Sequence, residues 1–222
     1  MERGMINKIL SLEEAMAFLH DGDTVMIGGF MACGTPEIFM DEIVKKNIKN
    51  LKVIANDTGV PGKGIGKLIS AKLIKELTAS HIGLNPETGA QMTAGELKVT
   101  LVPQGSLAEM IRAGGAGLGG VLTSTGVGTE IEEGKQKITL NEKEYLIELP
   151  LSADVAFIHG SVVDKAGNVF YNSTTRNFNS IMATAAKTVI VAAEKIVEIG
   201  ELDANHIMTP GIFVDYIVGG EG

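Results

Sequence analysis

Apolar and polar positions along the chain follow two periods in turn. Ser11-Leu12-Glu13-Glu14 has the form of a capping box, in which a serine hydroxyl and a glutamate carboxylate satisfy free backbone N–H groups at a helix start. Leu12, Ala15, Met16 and Leu19 then recur at helical spacing until Asp21-Gly22 stops them. Thr24 to Ile27 is a run of strand formers. A glycine-rich loop follows, then Thr35-Pro36, a good cap and first-turn pair for a helix whose apolar stripe is Phe39, Met40, Ile43 and Val44. This strand, loop, helix unit recurs. Leu51 to Ala55 reads as a strand opening onto Asn56-Asp57-Thr58-Gly59, with a helix near Lys67 to Leu77. Leu97 to Val102 is a third strand, ending in Pro103-Gln104-Gly105, after which Ser106-Leu107-Ala108-Glu109 repeats the capping box.

Strands alternating with helices predict an α/β fold, an open and mostly parallel sheet flanked by helices. Ile138 to Leu140 and Tyr145 to Leu149 flank a polar turn and predict a β-hairpin excursion, and a second hairpin is expected around Asp164 to Asn168. The chain returns to helix near Phe178 to Ala186 and to strand at Thr188 to Ala193. No linker, repeat or low-complexity tract divides it, so a single domain over residues 1–222 is the economical expectation.

Composition narrows the function. The chain has 222 residues, 45% of them apolar, and a formal net charge of −8. That supports a substantial core and leaves no basic run to neutralise a series of phosphates, which argues against nucleic acid. No apolar run approaches the roughly 18 residues that would span a bilayer, and no signal-peptide pattern opens the chain, so a cytoplasmic protein without membrane contact is expected. A single cysteine, Cys33, excludes an internal disulfide and a CxxC site. His20, His81, His159 and His206 lie far apart without metal-ligand spacing, so no metal is expected.

In open parallel sheets, ligands lie beyond the carboxyl ends of the strands. Three loops there carry unusual content. In Gly28-Gly29-Phe30-Met31-Ala32-Cys33-Gly34 the glycines either let a ligand approach the backbone or serve a tight turn, and the helix after Thr35-Pro36 offers a positive dipole end to an anion. The second loop holds Asn56 and the third Gln104. Either amide caps a turn or helix, or donates to a developing oxyanion, where a fixed neutral donor is worth several kcal/mol. Gly114 to Gly120 lacks the lysine of a phosphate loop and follows a helix, which favours a mobile loop or a close backbone contact. Cys33 lacks a neighbour that would activate its thiol, so a small buried hydrophobe is the better reading. Arg176 either binds a carboxylate or ties its loop to an acidic neighbour.

Taken together, Asp21-Gly22, the apolar strand, Gly28-Gly29-Phe30, Gly34 and Pro36 resemble the signature of the family I CoA-transferases. The resemblance continues through IANDTG (54–59), SHIGLNPETG (80–89), LVPQGSLAEMIRAGGAGLGG (101–120), TSTGVGT (123–129) and RNFN (176–179), nearly the whole chain. It implies exchange of coenzyme A between an acyl-CoA and a short-chain carboxylate, through a glutamyl-CoA thioester. In the family the nucleophilic glutamate lies in a Glu-Asn-Gly motif of the β subunit, or of the second half of a fused chain. This sequence has no Glu-Asn-Gly. The resemblance therefore implies a chain that completes a site without owning its nucleophile, in a hetero-oligomer such as α2β2, with coenzyme A as substrate and no permanently bound cofactor. By the same resemblance, Gly28, Gly29, Phe30, Met31, Ala32, Cys33 and Gly34 form the CoA-side loop. Gln104 donates to the thioester oxyanion and Asn56 positions the carboxylate or its anhydride. A noncatalytic sugar-phosphate-binding module of similar architecture is the alternative.

Overall fold

The computed structural model describes residues 7–220. The first half of the chain alternates helix and strand: α1 (Leu12–Met16), β1 (Thr24–Ile27), α2 (Glu37–Lys46), β2 (Leu51–Ile54), α3 (Gly66–Ser70), β3 (Ile74–Ala79), α4 (Pro86–Thr93), β4 (Lys98–Leu101) and α5 (Gln104–Ala116). An excursion follows, with β5 (Val121–Thr123), β6 (Lys137–Leu140) and β7 (Lys143–Glu148) forming a separate three-stranded antiparallel sheet in the order β5-β7-β6. The chain then re-enters the main sheet through β8 (Ala153–Asp164), which folds back in an antiparallel hairpin onto β9 (Val169–Phe170). It ends with α6 (Asn179–Met182), β10 (Ala186–Val197) and β11 (Tyr216–Gly219).

The main sheet runs β11-β10-β8-β1-β2-β3-β4, parallel between all neighbours along this path. The chain lays down β1 in the middle, builds outward to β4 on one side, and returns to β8 on the other. That reversal makes β1 the topological switch point, where loops diverge and leave a crevice. Alternate residues of each strand serve opposite layers. Val25, Ile27 and Val53 pack with Met16, Phe39 and Leu68 of α1, α2 and α3, whereas Met26, Ile54 and Ala156 pack with Leu107 and Ile111 of α5 and Met182 of α6. Burial on both faces is what a parallel sheet requires. Phe39 and Phe157 stack at the centre of the first layer with ring centroids 4.3 Å apart, both fully buried. Phe39→Ala should therefore cost about 3–5 kcal/mol of stability, read as a lower denaturation midpoint with an unchanged m-value.

The capping box at Ser11 and Glu14 forms as expected, with both reciprocal bonds present. Elsewhere the elements shift. The helix expected to reach Leu77 stops at Ser70, because Lys72 takes a left-handed φ of 54° and Ile74–Ala79 fills the sheet position beside β2. Degenerate spacing is the cause: Ile69, Leu73 and Leu77 repeat every four residues yet are buried from three different settings, a helix, a turn and a strand. α2 begins at Glu37, and neither Thr35 nor Pro36 caps it through a side chain. Val44 faces solvent, while Glu42 is buried and paired with Lys45 at 3.0 Å. α5 starts at Gln104, so Ser106 lies inside its first turn and caps nothing. α6 ends at Met182 because Ala186 already belongs to β10.

Candidate functional site

Gly28 continues β1, its N–H donating to the Phe157 carbonyl of β8 at 3.0 Å. Beyond it the backbone closes a two-residue hairpin: Phe30 N–H donates to the Cys33 carbonyl at 3.0 Å and Cys33 N–H to the Phe30 carbonyl at 2.8 Å. The two tip residues, Met31 and Ala32, have φ of 50° and 66°. A turn with positive φ at both central residues normally carries Asn-Gly, and each side-chain-bearing residue there costs on the order of 1–3 kcal/mol. The surroundings hold the strain. Met31 N–H donates to Asp57 Oδ2 at 2.9 Å, Gly29 N–H to Asn177 Oδ1 at 3.1 Å, Asn177 Nδ2 to the Cys33 carbonyl at 3.0 Å, and Asn179 Nδ2 to the Gly34 carbonyl at 2.9 Å.

The leading glycines are required by this packing. A Cβ on Gly28 would stand 1.8 Å from Asn179 Oδ1, and one on Gly29, whose φ is +124°, 2.1 Å from Thr35 Oγ1. Asn179 itself is fully buried and accepts the His159 N–H at 2.8 Å. Burial pushes the His159 imidazole below its ordinary pKa, partly offset by Glu194 at 3.6 Å. What the loop presents outward is Phe30, 40% exposed, Met31, 52% exposed, and Cys33. Cys33 is thus an exposed residue and not a buried hydrophobe, its Sγ 3.5 Å from Thr174 Oγ1.

Asn56 and Gln104 meet. Gln104 Nε2, in the first turn of α5, donates to Asn56 Oδ1 at 2.7 Å, and Ser80 Oγ donates to the same oxygen at 2.9 Å. Asn56 Nδ2 donates to Asp57 Oδ2 at 2.7 Å, and Gly59 N–H to Asp57 Oδ1 at 2.7 Å. A continuous hydrogen-bonded chain therefore runs from Gln104 through Asn56 and Asp57 to the strained turn at Met31. Asn56 is 2% exposed with both ends of its amide engaged, whereas Gln104 is exposed and uses one of its two amide hydrogens. Both border a concavity of about 450 Å³ whose walls include Phe30, Met31, His81 and Leu84. Asp57 is the one carboxylate lining it. It is buried and held by three donors, which fixes it in a structural role and weakens it as a nucleophile.

Across Phe30 lies a second concavity of about 490 Å³, lined by Cys33, Ser173, Thr174, Arg176 and Asn177. Arg176 has no carboxylate partner among the described residues, which removes the reading in which it ties its loop to an acidic neighbour. The start of α2 does not offer an anion seat. Glu37 occupies the first turn, its carboxylate accepting the Gly64 N–H at 2.7 Å and pairing with Lys67 at 2.6 Å. The glycines at 114 and 115 lie within α5 and let it approach the Leu151 carbonyl and Thr184, a close backbone contact away from both concavities. Sequence reasoning offers Asp57 only as a rival nucleophile at a strand end and does not single out Ser80, Asn177 and Asn179 as site residues, although SHIGLNPETG and RNFN contain them. Their roles depend on contacts from Met31 to Asp57 and from Gly34 to Asn179, which no local pattern encodes.

The family profile described as coenzyme A transferase matches residues 9–220. The chain is 58% identical over 214 residues to the acetoacetyl-CoA:acetate/butyrate CoA transferase alpha subunit of Clostridium acetobutylicum, covering 96% of this chain and 98% of that one. It is 49% identical to the acetate CoA-transferase subunit alpha of Escherichia coli, covering 96% and 97% of the two chains. Among solved structures, glutaconate coenzyme A-transferase from Acidaminococcus fermentans superposes with a TM-score of 0.82 at 22% identity, over 95% of this chain and 75% of that one. That likeness shows the fold.

Proposed function

The chain belongs to the coenzyme A transferase family, and from that premise we propose that it is the α subunit of an enzyme moving coenzyme A between an acyl-CoA and acetate, butyrate or acetoacetate. The observation that carries this reading is the pairing of Gln104 with Asn56. It leaves one amide hydrogen of Gln104 for a substrate oxygen, beside a carboxylate already held by three donors. The site can thus stabilise charge without supplying a nucleophile. The sequence contains no Glu-Asn-Gly, so the nucleophilic glutamate belongs to a β subunit, in a hetero-oligomer such as α2β2.

In this scheme the partner glutamate attacks the thioester carbonyl, and the charge that develops on oxygen is met by Gln104. Coenzyme A leaves as thiolate and a mixed anhydride remains. The thiolate then attacks the glutamyl carbonyl, which releases the first carboxylic acid and leaves a glutamyl-CoA thioester. A second acid reverses the sequence. Asn56, itself bonded by Ser80, holds the Gln104 amide, and Asp57 holds the loop. Within Gly28 to Gly34, the exposed Phe30, Met31 and Cys33 with Ala32 contact coenzyme A, while the three glycines shape the turn. Residues 1–222 act as one domain in the cytoplasm, with coenzyme A as substrate and no permanent cofactor. A sugar-phosphate is disfavoured at the start of α2, where the Glu37 carboxylate already places negative charge in the first turn.

The test is reconstitution. The isolated chain should fold and show no transfer, and mixing with the β subunit should restore it. Incubation of the assembly with acyl-CoA followed by borohydride reduction should place the mass change on the partner. Turnover by the purified chain alone, or a reduced carboxylate at Asp57, would make this chain the catalyst.

A further inference from the structure

We propose that Arg176 forms an oxyanion subsite, separated from the Gln104 end of the site by Phe30, for a charge that the reactants carry away from the reacting carbonyl. The inference rests on the transferase reading above. In a chain of net charge −8, cations are readily paired: Lys67 with Glu37 and Asp41, Lys135 with Glu148, Lys187 with Asp154, and Arg112 with Glu109. Arg176 forms no ion pair among the described residues. Lys49, Lys52, Lys63, Lys75 and Lys195 also form none there, so what sets Arg176 apart is its position, bordering a concavity of about 490 Å³ that contains no carboxylate.

Its backbone is held where it stands. Residues Ser173–Arg176 make one 3-10 turn, pinned by the Thr175 N–H and Thr175 Oγ1, which both donate to the Asn172 carbonyl at 3.1 and 2.8 Å. The next residue, Asn177, ties this turn to the glycine loop by donating from Nδ2 to the Thr174 and Cys33 carbonyls at 2.9 and 3.0 Å. The backbone that carries Arg176 is therefore fixed beside this concavity. The planar fork of the guanidinium suits two oxygens of a phosphate or carboxylate, and the hydroxyls of Ser173 and Thr174 lie in the same wall. Phe30 borders both concavities, so one extended ligand could run from Gln104 past the ring to Arg176.

A short monocarboxylic acid has its only charge at the reacting centre. The distant oxyanion is then either a phosphoryl group of coenzyme A or, for a dicarboxylic acid, its second carboxylate. Both present the same chemistry to Arg176, and the assay separates them. Arg176→Gln and Arg176→Lys are prepared in the assembled enzyme and assayed with acyl-CoA, acyl-dephospho-CoA and acyl-pantetheine as donors, and with acetate and succinate as acceptors. Arg176→Gln should raise KM for the charged reactant about 10- to 100-fold with kcat within about twofold, and Arg176→Lys should recover part of the loss. Acyl-pantetheine with acetate, which lacks a distant charge, should be unaffected. A loss confined to CoA donors assigns the subsite to phosphate, and one confined to succinate assigns it to carboxylate. Equal loss in the acyl-pantetheine and acetate pair, or no loss with any pair, overturns the proposal. Thermal protection of the wild-type assembly by coenzyme A separates the two failures. Protection retained unchanged in Arg176→Gln, with unchanged KM values, sinks the subsite alone, whereas no protection and no turnover in the wild type sinks the transferase reading with it.

Discussion

Gln104→Ala should lower turnover of the assembled enzyme by roughly 100- to 1000-fold, the loss seen when one oxyanion donor is removed, with little change in stability. The stability half of the expectation follows from the hydrogen bonds. Gln104 is exposed, in the first turn of α5, where alanine is well accepted. Asn56 Oδ1, which loses the Gln104 donor, keeps the Ser80 hydroxyl at 2.9 Å, so no buried acceptor is orphaned. Asn56→Ala should behave differently. Asn56 is buried and bonded to Gln104, Ser80 and Asp57, so its removal should cost about 1–3 kcal/mol of stability and also slow turnover by releasing Gln104. Because Asn56 acts through Gln104, the double variant should be slowed by less than the product of the two single effects. Wild-type rates in a correctly assembled Gln104→Ala enzyme would remove Gln104 from the chemistry.

Gly28→Ala should strongly destabilise the protein through the loop. The new Cβ would stand 1.8 Å from Asn179 Oδ1, so the buried Asn179 must move. Its amide now accepts the His159 N–H and donates to the Gly34 and Thr175 carbonyls. Overpacking costs about 1–3 kcal/mol, and each buried polar group left without a partner about 1–3 kcal/mol more. A total on the order of 3–6 kcal/mol is a large part of a stability near 5–15 kcal/mol. Denaturant unfolding should show a much lower midpoint, and transferase activity should fall with it because the Phe30–Cys33 turn loses its clamp. Adding Asn179→Ala should recover part of the stability by removing the obstacle. A Gly28→Ala protein as stable and active as wild type would show that the loop yields more easily than this packing implies.

These two predictions separate what could be read along the chain from what could not. Elements whose signals are local were legible: the Ser11–Glu14 capping box, the strand before Gly28, the β6–β7 hairpin at its polar turn, and the α/β alternation itself. Gln104 and Asn56 were also legible as strand-end amides, and the motif resemblance supplied roles for them. The errors fell where spacing is degenerate. Ile69, Leu73 and Leu77 satisfy a helical period as well as they satisfy a helix, turn and strand, and the open sheet position beside β2 decided for the strand. Ser106 and Glu109 match a capping box, but with Pro103 at the cap position the helix begins at Gln104, three residues before a Ser106 cap would start it, which is what places that amide against Asn56.

By itself the sequence determined the class of the fold, the order of its central units, the acidic balance, and the lack of a Glu-Asn-Gly nucleophile, because each depends on residue type and short-range spacing. Tertiary structure decided the rest of the site. The turn at Met31 and Ala32 contradicts local preference and persists only because Asp57, Asn177 and Asn179 hold it from distant segments. Gly28 and Gly29 are small because Asn179 and Thr35 fill the space beside them, a reason that lies in no neighbouring residue. Cys33 is exposed, and Arg176 is without an ion pair among the described residues, for the same cause: burial and pairing are set by which loops the sheet brings together at its switch point, and that is a property of the fold rather than of any short segment.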